Sequence, residues 1–549
     1  MLDLECPLGV VPIVVNAGAA LLPAMLAGAA SFVALLFKPR EMVRACQAHP
    51  GRFLVVISAI VGITALIWFW PAPGGDETAG KTGRGRGGSP ASDSESTTTG
   101  GVTVDWTRVA LARIQADRLG LPKAAVEEMP TEVTSDPFIF RGGPKRLGSL
   151  GGEIEGPLQL AWSYYPRWND SGVEKEDRDA MILASPAIRG DRLYGASCTL
   201  DPPDSFGAVF CLDAATGQQI WTIDQADDEP FKGFFSSPAI SGDGKYLLIG
   251  QGLHPDSNCR LICLETATGK VHWTLEVPLH IESSPCIDGD VVYVGAGAIE
   301  DPSTHKPISH PGFVLAVKIS DGKELWRMDV NDPESSPVFN DGSLYIGSGF
   351  NGNAVVSIRT PAGGEGGPEL AWSTKSAYPI TGAVTLSDGV IFAGGGNGDF
   401  VFRDPKPAGI VKALNAKDGS ELWSADLPDA VLGAVAATSR LICPVASGEV
   451  IALDLKSGEP AWRSRVSDRA PVLAATAVTD REVFAVSQNG YLGRFQLEDG
   501  ALIERIYLNA EDQPGEQGLC ISSPMVAGGR LFVGSETGGM RCYIGGGKQ

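Results

Sequence analysis

Phe210-Cys-Leu-Asp-Ala-Ala-Thr-Gly-Gln-Gln-Ile-Trp221 decides the fold, because it recurs. It returns as Ile262-Cys-Leu-Glu-Thr-Ala-Thr-Gly-Lys-Val-His-Trp273 and as Leu315-Ala-Val-Lys-Ile-Ser-Asp-Gly-Lys-Glu-Leu-Trp326. Shorter copies run from Ala413 to Trp423 and from Ala452 to Trp462. A stretched copy spans Val356 to Trp372, a copy without Trp surrounds Leu497 to Gly500, and a half copy is Arg541-Cys-Tyr-Ile544, which makes eight.

A second series counts eight independently. Ser-Pro occurs at Ser185-Pro186, Ser237-Pro238, Ser284-Pro285, Ser336-Pro337 and Ser523-Pro524. Gly382-Ala383-Val384, Gly433-Ala434-Val435 and Thr476-Ala477-Val478 take its place elsewhere, at intervals of about 43–52 residues. Such a period, filled with short β-branched runs and Gly/Asp turns, predicts a β-propeller. Each unit reads as four strands: an apolar strand after Ser-Pro, a hairpin turn such as Asp341-Gly342, a second strand, a third carrying Ala/Cys-Leu-Asp, and an outer strand carrying the Trp. Leu160-Ala-Trp162 looks like an outer strand without its inner partners, and the copy at Cys542 like inner strands without an outer one. Joined, they form a composite blade that closes the ring and removes exposed edges.

The pattern resembles the tryptophan-docking repeat of the pyrroloquinoline-quinone (PQQ) type eight-bladed propellers over roughly residues 137–549. Within that family it resembles the non-catalytic, BamB-like members most. Phe140-Arg-Gly-Gly-Pro-Lys-Arg-Leu-Gly148 is similar to the lead-in those proteins place before the first blade. The resemblance implies that Trp162, Trp221, Trp273, Trp326, Trp372, Trp423 and Trp462 pack between neighbouring blades. It also implies a protein-binding scaffold, in envelope or outer-membrane protein assembly, with a divergent quinoprotein dehydrogenase as the alternative.

The 549 residues are 43% hydrophobic and carry a net charge of −21. That excludes disorder of the whole chain and disfavours electrostatic binding to nucleic acid. The uncharged runs from Leu8 to Phe37 and from Phe53 to Trp70 predict two transmembrane helices, about 14–37 and 53–70, in an anchor spanning 1–71. Asp3 and Glu5 before the first run argue against a cleaved signal peptide, and Cys6 precedes the run that a lipidated Cys would follow. Lys38, Arg40, Arg44 and Arg52 make the intervening loop basic, which places it in the cytoplasm. The rest is then expected on the periplasmic side of the inner membrane. Residues 72–103, rich in Gly, Ser and Thr, read as a disordered linker, and 104–136 as a short helical or irregular segment.

Three chemistries bear on function. Catalytic members of the resembled family hold the quinone over a Trp and under a vicinal disulfide, with calcium. Here there is no Cys-Cys pair, and seven of the 11 Trp are docking positions, so neither PQQ nor calcium is expected outside the alternative reading. Of the 10 Cys, Cys211, Cys263 and Cys542 stand where other copies have Ala and read as small buried residues, while Cys198, Cys259, Cys286, Cys443 and Cys520 leave a bridge or two open. His254, His280, His305 and His310 fall in one stretch, with Glu300 and Asp301 nearby. They share the face of the second and third blades, which makes His280, His305 and His310 candidate metal ligands. The spacing matches no metal motif, so solvated loop histidines are the plainer reading. No nucleophilic triad or phosphate-binding loop is recognisable.

Loop length singles out one face. The second-to-third-strand loops 200–206, 252–259, 299–311 and 395–409 are long, as are the interblade connections 166–180, 224–233 and 508–519. Both types lie on the same face, whereas the opposite face has tight turns except at 361–368. Loops on a rigid scaffold are where binding residues concentrate. Glu174, Glu176, Asp177, Asp227, Asp228, Glu229, Glu511 and Asp512 make this face acidic, suited to a basic protein partner or simply to solubility.

Overall fold

A strand buried on both sides needs an unbroken apolar run, and a strand with one wet face alternates. The repeat contains both kinds. Val291–Ala296 is buried throughout, whereas the outer strand Val271–Val277 is only partly covered. In the computed structural model, which describes residues 139–148, 152–170, 173–201, 204–299, 306–361, 363, 366–398, 400, 403–433, 435–436, 440–468 and 470–547, the repeats fold as eight four-stranded antiparallel sheets. Blade 1 runs Ala187–Arg189, Arg192–Ala196, Val209–Asp213 and Gln219–Ile223 from the inner to the outer strand. Blades 2 to 7 repeat the order through residues 239–277, 286–329, 338–375, 385–427, 435–465 and 477–507. Blade 8 is composite: Leu158–Tyr164 pairs with Met540–Gly545, setting Trp162 opposite Cys542. The two half copies thus close the ring.

The predicted membrane helices, the linker and segment 104–136 lie outside the described residues. Among the described residues no helix is long and apolar enough to cross a membrane.

Each docking Trp faces a small residue across the outer strand pair. Cys211 lies opposite Trp221, Cys263 opposite Trp273, Ala316 opposite Trp326, Ser357 opposite Trp372, Ala413 opposite Trp423 and Ala452 opposite Trp462, each beside a bulge. The indole then reaches into the next blade. Trp221 Nε1 donates to Thr266 O at 2.9 Å, Trp423 to Leu455 O at 3.0 Å and Trp462 to Leu497 O at 2.9 Å. The ring lies against the turn glycine of that blade. Gly500, at φ +73°, would bring a Cβ to 2.4 Å from the Trp462 ring, so both conformation and space require glycine there. Trp326 is the exception. The turn it should meet is the stretched 361–368, and its buried Nε1 finds no partner among the described residues.

Blade 7 lacks the Trp, and an ion pair takes its place. Arg494 occupies the small-residue position and Glu504 the Trp position directly opposite. Arg494 also bonds Glu482, Gly156 O and Ile154 O, and Glu504 accepts the Leu158 N–H at 3.1 Å. The joint where the ring closes is therefore polar.

Serines circle the channel inside the blades. Ser523 Oγ accepts the Ala475 N–H, Ser185 Oγ that of Ser523, Ser237 Oγ that of Ser185, Ser284 Oγ that of Ser237 and Ser336 Oγ that of Ser284, each at 2.9–3.0 Å. This satisfies backbone donors that inner strands of neighbouring blades would otherwise bury unpaired. The counterpart in blade 7 is Ala475, so the expected Thr476-Ala477-Val478 alignment is shifted by two residues.

Residues 139–148 plug the tight-turn end of the channel. Buried Arg146 donates to Pro337 O at 2.7 Å and Ser284 O at 2.8 Å, and Arg141 to Thr385 Oγ1 at 2.8 Å. All eight described cysteines are buried free thiols. The open possibility of a bridge among them is not realised: Cys198, Cys259, Cys443 and Cys520 lie in four separate apolar clusters.

Candidate functional site

The described part of the long-loop face carries regular structure of its own. Three of its connections carry small ribbons: Arg167–Asp170 with Val173–Glu176, Thr199–Asp201 with Asp204–Phe206, and Gln225–Ala226 with Glu229–Pro230. The last is anchored by fully buried Phe231, on which the Arg260 guanidinium lies at 5.7 Å. Its tip holds exposed Asp227 and Asp228 at φ 52° and 65°. Loop 508–519 is organised by buried Glu536, whose carboxylate accepts the N–H groups of Glu516, Gln517 and Leu519 at 2.7–2.8 Å. Exposed Asp512 is paired with Arg178 at 3.0 Å. Glu176, Asp227, Asp228 and Glu511 are exposed on this face, and the side chain of Glu174 lies outside the described set.

One ring of residues closes the channel on this side. The position immediately before each Ser-Ser-Pro or its equivalent is Leu183, Phe235, Glu282, Glu334, Thr381, Leu432, Leu473 and Ile521, and all eight line the axial cavity. Phe235 and Phe400 meet edge to face at 5.0 Å above it. About 70 Å³ is left between this cap and the lead-in plug. Sites for drug-sized ligands run to roughly 300–1,000 Å³. The axis therefore does not fit a tricyclic quinone.

Two adjacent glutamates interrupt this mostly apolar ring, and two histidines sit with them. His254 Nδ1 lies 2.7 Å from Glu334 Oε1, and the His254 and His280 rings are 5.1 Å apart. His280 is fully buried, with Nε2 3.1 Å from Ala298 O and 3.6 Å from Glu334 Oε1, and Nδ1 4.0 Å from Glu282 Oε1. Burial, then the neighbouring His254, hold His280 down to about 3, so its imidazole is neutral at physiological pH. Burial, then the Glu334 carboxylate, push Glu282 up to about 8.

Of the histidines singled out from sequence, His280 is in this cluster together with His254. His310 instead contacts Asp329, 3.6 Å away, Phe313 and the Gly312 N–H. His305 lies outside the described residues. Glu282 and Glu334 were not singled out from sequence, although a signal was present. Both occupy the same place in adjacent repeats, Glu282-Ser-Ser-Pro285 and Glu334-Ser-Ser-Pro337, and in a ring equal places in adjacent repeats are neighbours.

A family model described as outer membrane protein assembly factor BamB matches residues 205–305 and 407–544. The outer membrane protein assembly factor BamB of Yersinia pestis is 23% identical over 376 residues, covering 64% of this chain and 82% of that protein. The quinohemoprotein alcohol dehydrogenase ADH-IIG of Pseudomonas putida is 26% identical over 295 residues, covering 50% of this chain but only 35% of that protein. Among solved structures, the quinohemoprotein alcohol dehydrogenase of Comamonas testosteroni superposes with a TM-score of 0.56 at 15% identity, over 80% of this chain and 84% of that one. That likeness speaks to the fold alone.

Proposed function

We propose, from the premise that this chain is a BamB-like PQQ-repeat propeller, that it is a membrane-anchored scaffold that binds another protein in envelope or outer-membrane protein assembly, with the propeller on the periplasmic side. One observation carries the reading. The similarity runs through 82% of the BamB relative's length, but through about a third of the dehydrogenase's. Support comes from the channel, blocked at one end by Arg141 and Arg146 and capped at the other by Phe235 and Phe400. The elaborated face with Asp227, Asp228 and Glu511 is the proposed binding surface, and a basic partner segment complements it.

Photo-crosslinking residues at Asp228 and Glu511 test this directly. They are expected to capture a component of the outer-membrane assembly machinery in intact cells, while the same probe at Asp341 on the opposite face captures none. The reverse pattern would mean the wrong face. The rival reading, a quinoprotein dehydrogenase, predicts dye reduction by alcohols when PQQ and calcium are added, and robust turnover would overturn the scaffold.

Localisation has its own test. A reporter enzyme fused after Gly101 is expected to be active only outside the cytoplasm, because the basic 38–52 loop should be retained inside. Cytoplasmic activity would reverse the topology.

A further inference from the structure

We propose that His254, His280 and Glu282, backed by Glu334, form a binding site for a divalent transition-metal ion of the zinc type at the long-loop mouth of the channel. The site is independent of the protein-binding reading.

The ring itself points to a cation. Of its eight positions, five are Leu, Ile or Phe and one is Thr, so the propeller closes there with apolar residues. Glu282 and Glu334 are not needed for that closure. Two acidic side chains placed side by side in a largely shielded ring are costly to ionise together, a cost that a cation held by Glu282 and the histidines would offset.

His280 is held as a ligand would be. Its Nε2 is 3.1 Å from the Ala298 carbonyl, an acceptor only, so Nε2 carries the proton and donates it. That leaves Nδ1 as a bare lone pair, fully buried and without a hydrogen-bond partner among the described residues, on the side of Glu282. A buried acceptor left unpaired is unusual. An imidazole whose second nitrogen is tied to a backbone carbonyl is how proteins orient a metal ligand.

The three side chains are also within reach of one ion. One ligand atom each from His254, His280 and Glu282 lie within 4.8 Å of one another. Zinc bonds nitrogen and oxygen at about 2.0–2.2 Å, so these atoms must close by roughly an ångström. His254 is half-exposed and Glu282 has its own torsions, which makes that movement available. Glu334 at 2.7 Å from His254 Nδ1 then supplies the carboxylate that steadies a ligating histidine. Two imidazoles and one carboxylate select zinc, nickel or cobalt over magnesium or calcium. A fourth position remains for water or for a side chain of a docked protein.

The test uses the full-length protein, stripped with chelator and titrated calorimetrically with zinc chloride, with cobalt absorption reporting the ligand field. The expected result is one ion per chain and a higher melting temperature with zinc. Glu334→Gln should weaken binding about 10–100-fold, as loss of a supporting carboxylate does. His254→Ala and the isosteric Glu282→Gln, which remove ligands, should weaken it further. His310→Ala should bind as the parent does. Each variant is first shown to melt like the metal-free parent, and Glu282→Gln keeps the test open if a histidine variant misfolds. Failure to reach one ion per chain at saturating zinc, or unchanged affinity in both His254→Ala and Glu282→Gln, would overturn the site.

Discussion

Trp462→Ala is expected to lower the stability of the propeller by about 3–5 kcal/mol, the usual cost of deleting a buried aromatic side chain. The indole is 6% exposed, packs with Val450, Val466 and Leu497, and donates its N–H across the blade interface to Leu497 O at 2.9 Å. Removing it leaves a cavity and an unpaired carbonyl between blades 6 and 7. Gly500→Ala attacks the same contact from the other side. It forces a Cβ to 2.4 Å from the ring at a φ of +73° that alanine disfavours. Both variants should melt well below the parent in thermal or urea unfolding followed by circular dichroism. Trp326→Ala should cost less, because Trp326 has no hydrogen bond among the described residues to lose. Unchanged melting of Trp462→Ala would mean that the blades do not depend on tryptophan docking.

Arg494→Ala is expected to be as damaging, again about 3–5 kcal/mol, through electrostatics rather than volume. The guanidinium side chain is 4% exposed and pairs at 2.7 Å with Glu482 and Glu504, which are 16% and 19% exposed. Truncation strands two shielded carboxylates. It also frees the carbonyls of Ile154 and Gly156, which lead into the strand that closes blade 8. Removing the stranded charges should therefore relieve part of the loss. Arg494→Ala with Glu482→Gln and Glu504→Gln should recover part of it. No recovery in the triple variant would assign the cost to packing alone.

Much of this molecule is legible in its sequence. Blade number, four strands per blade, the Trp positions and the composite closing blade all follow from a local pattern repeated often enough to count. Repetition is legible because six of the eight blade interfaces use the same contact, a Trp against a turn glycine, so the same few residues recur. The departures were legible only as blanks. The missing Trp near Leu497 was visible, but not that Arg494 and Glu504 fill its place with an ion pair, since nothing local couples a charge on one strand to the chain end arriving from residue 154.

The histidine–glutamate cluster shows the same division more sharply. Sequence alone determined that His254 and His280 belong to the long-loop face, because strand order assigns every connection to a face. The equivalent repeat positions of Glu282 and Glu334 are also written in the sequence, although they were not singled out there. Only the tertiary structure decided that His254 meets Glu334, 80 residues away, and that His310 turns aside to Asp329. The reason is physical: a closed ring converts repeat number into angle around an axis, which sequence can count. Which side chains then touch depends on loop backbones and burial, such as the Ala298 carbonyl that sets the tautomer of His280, and these no repeat specifies.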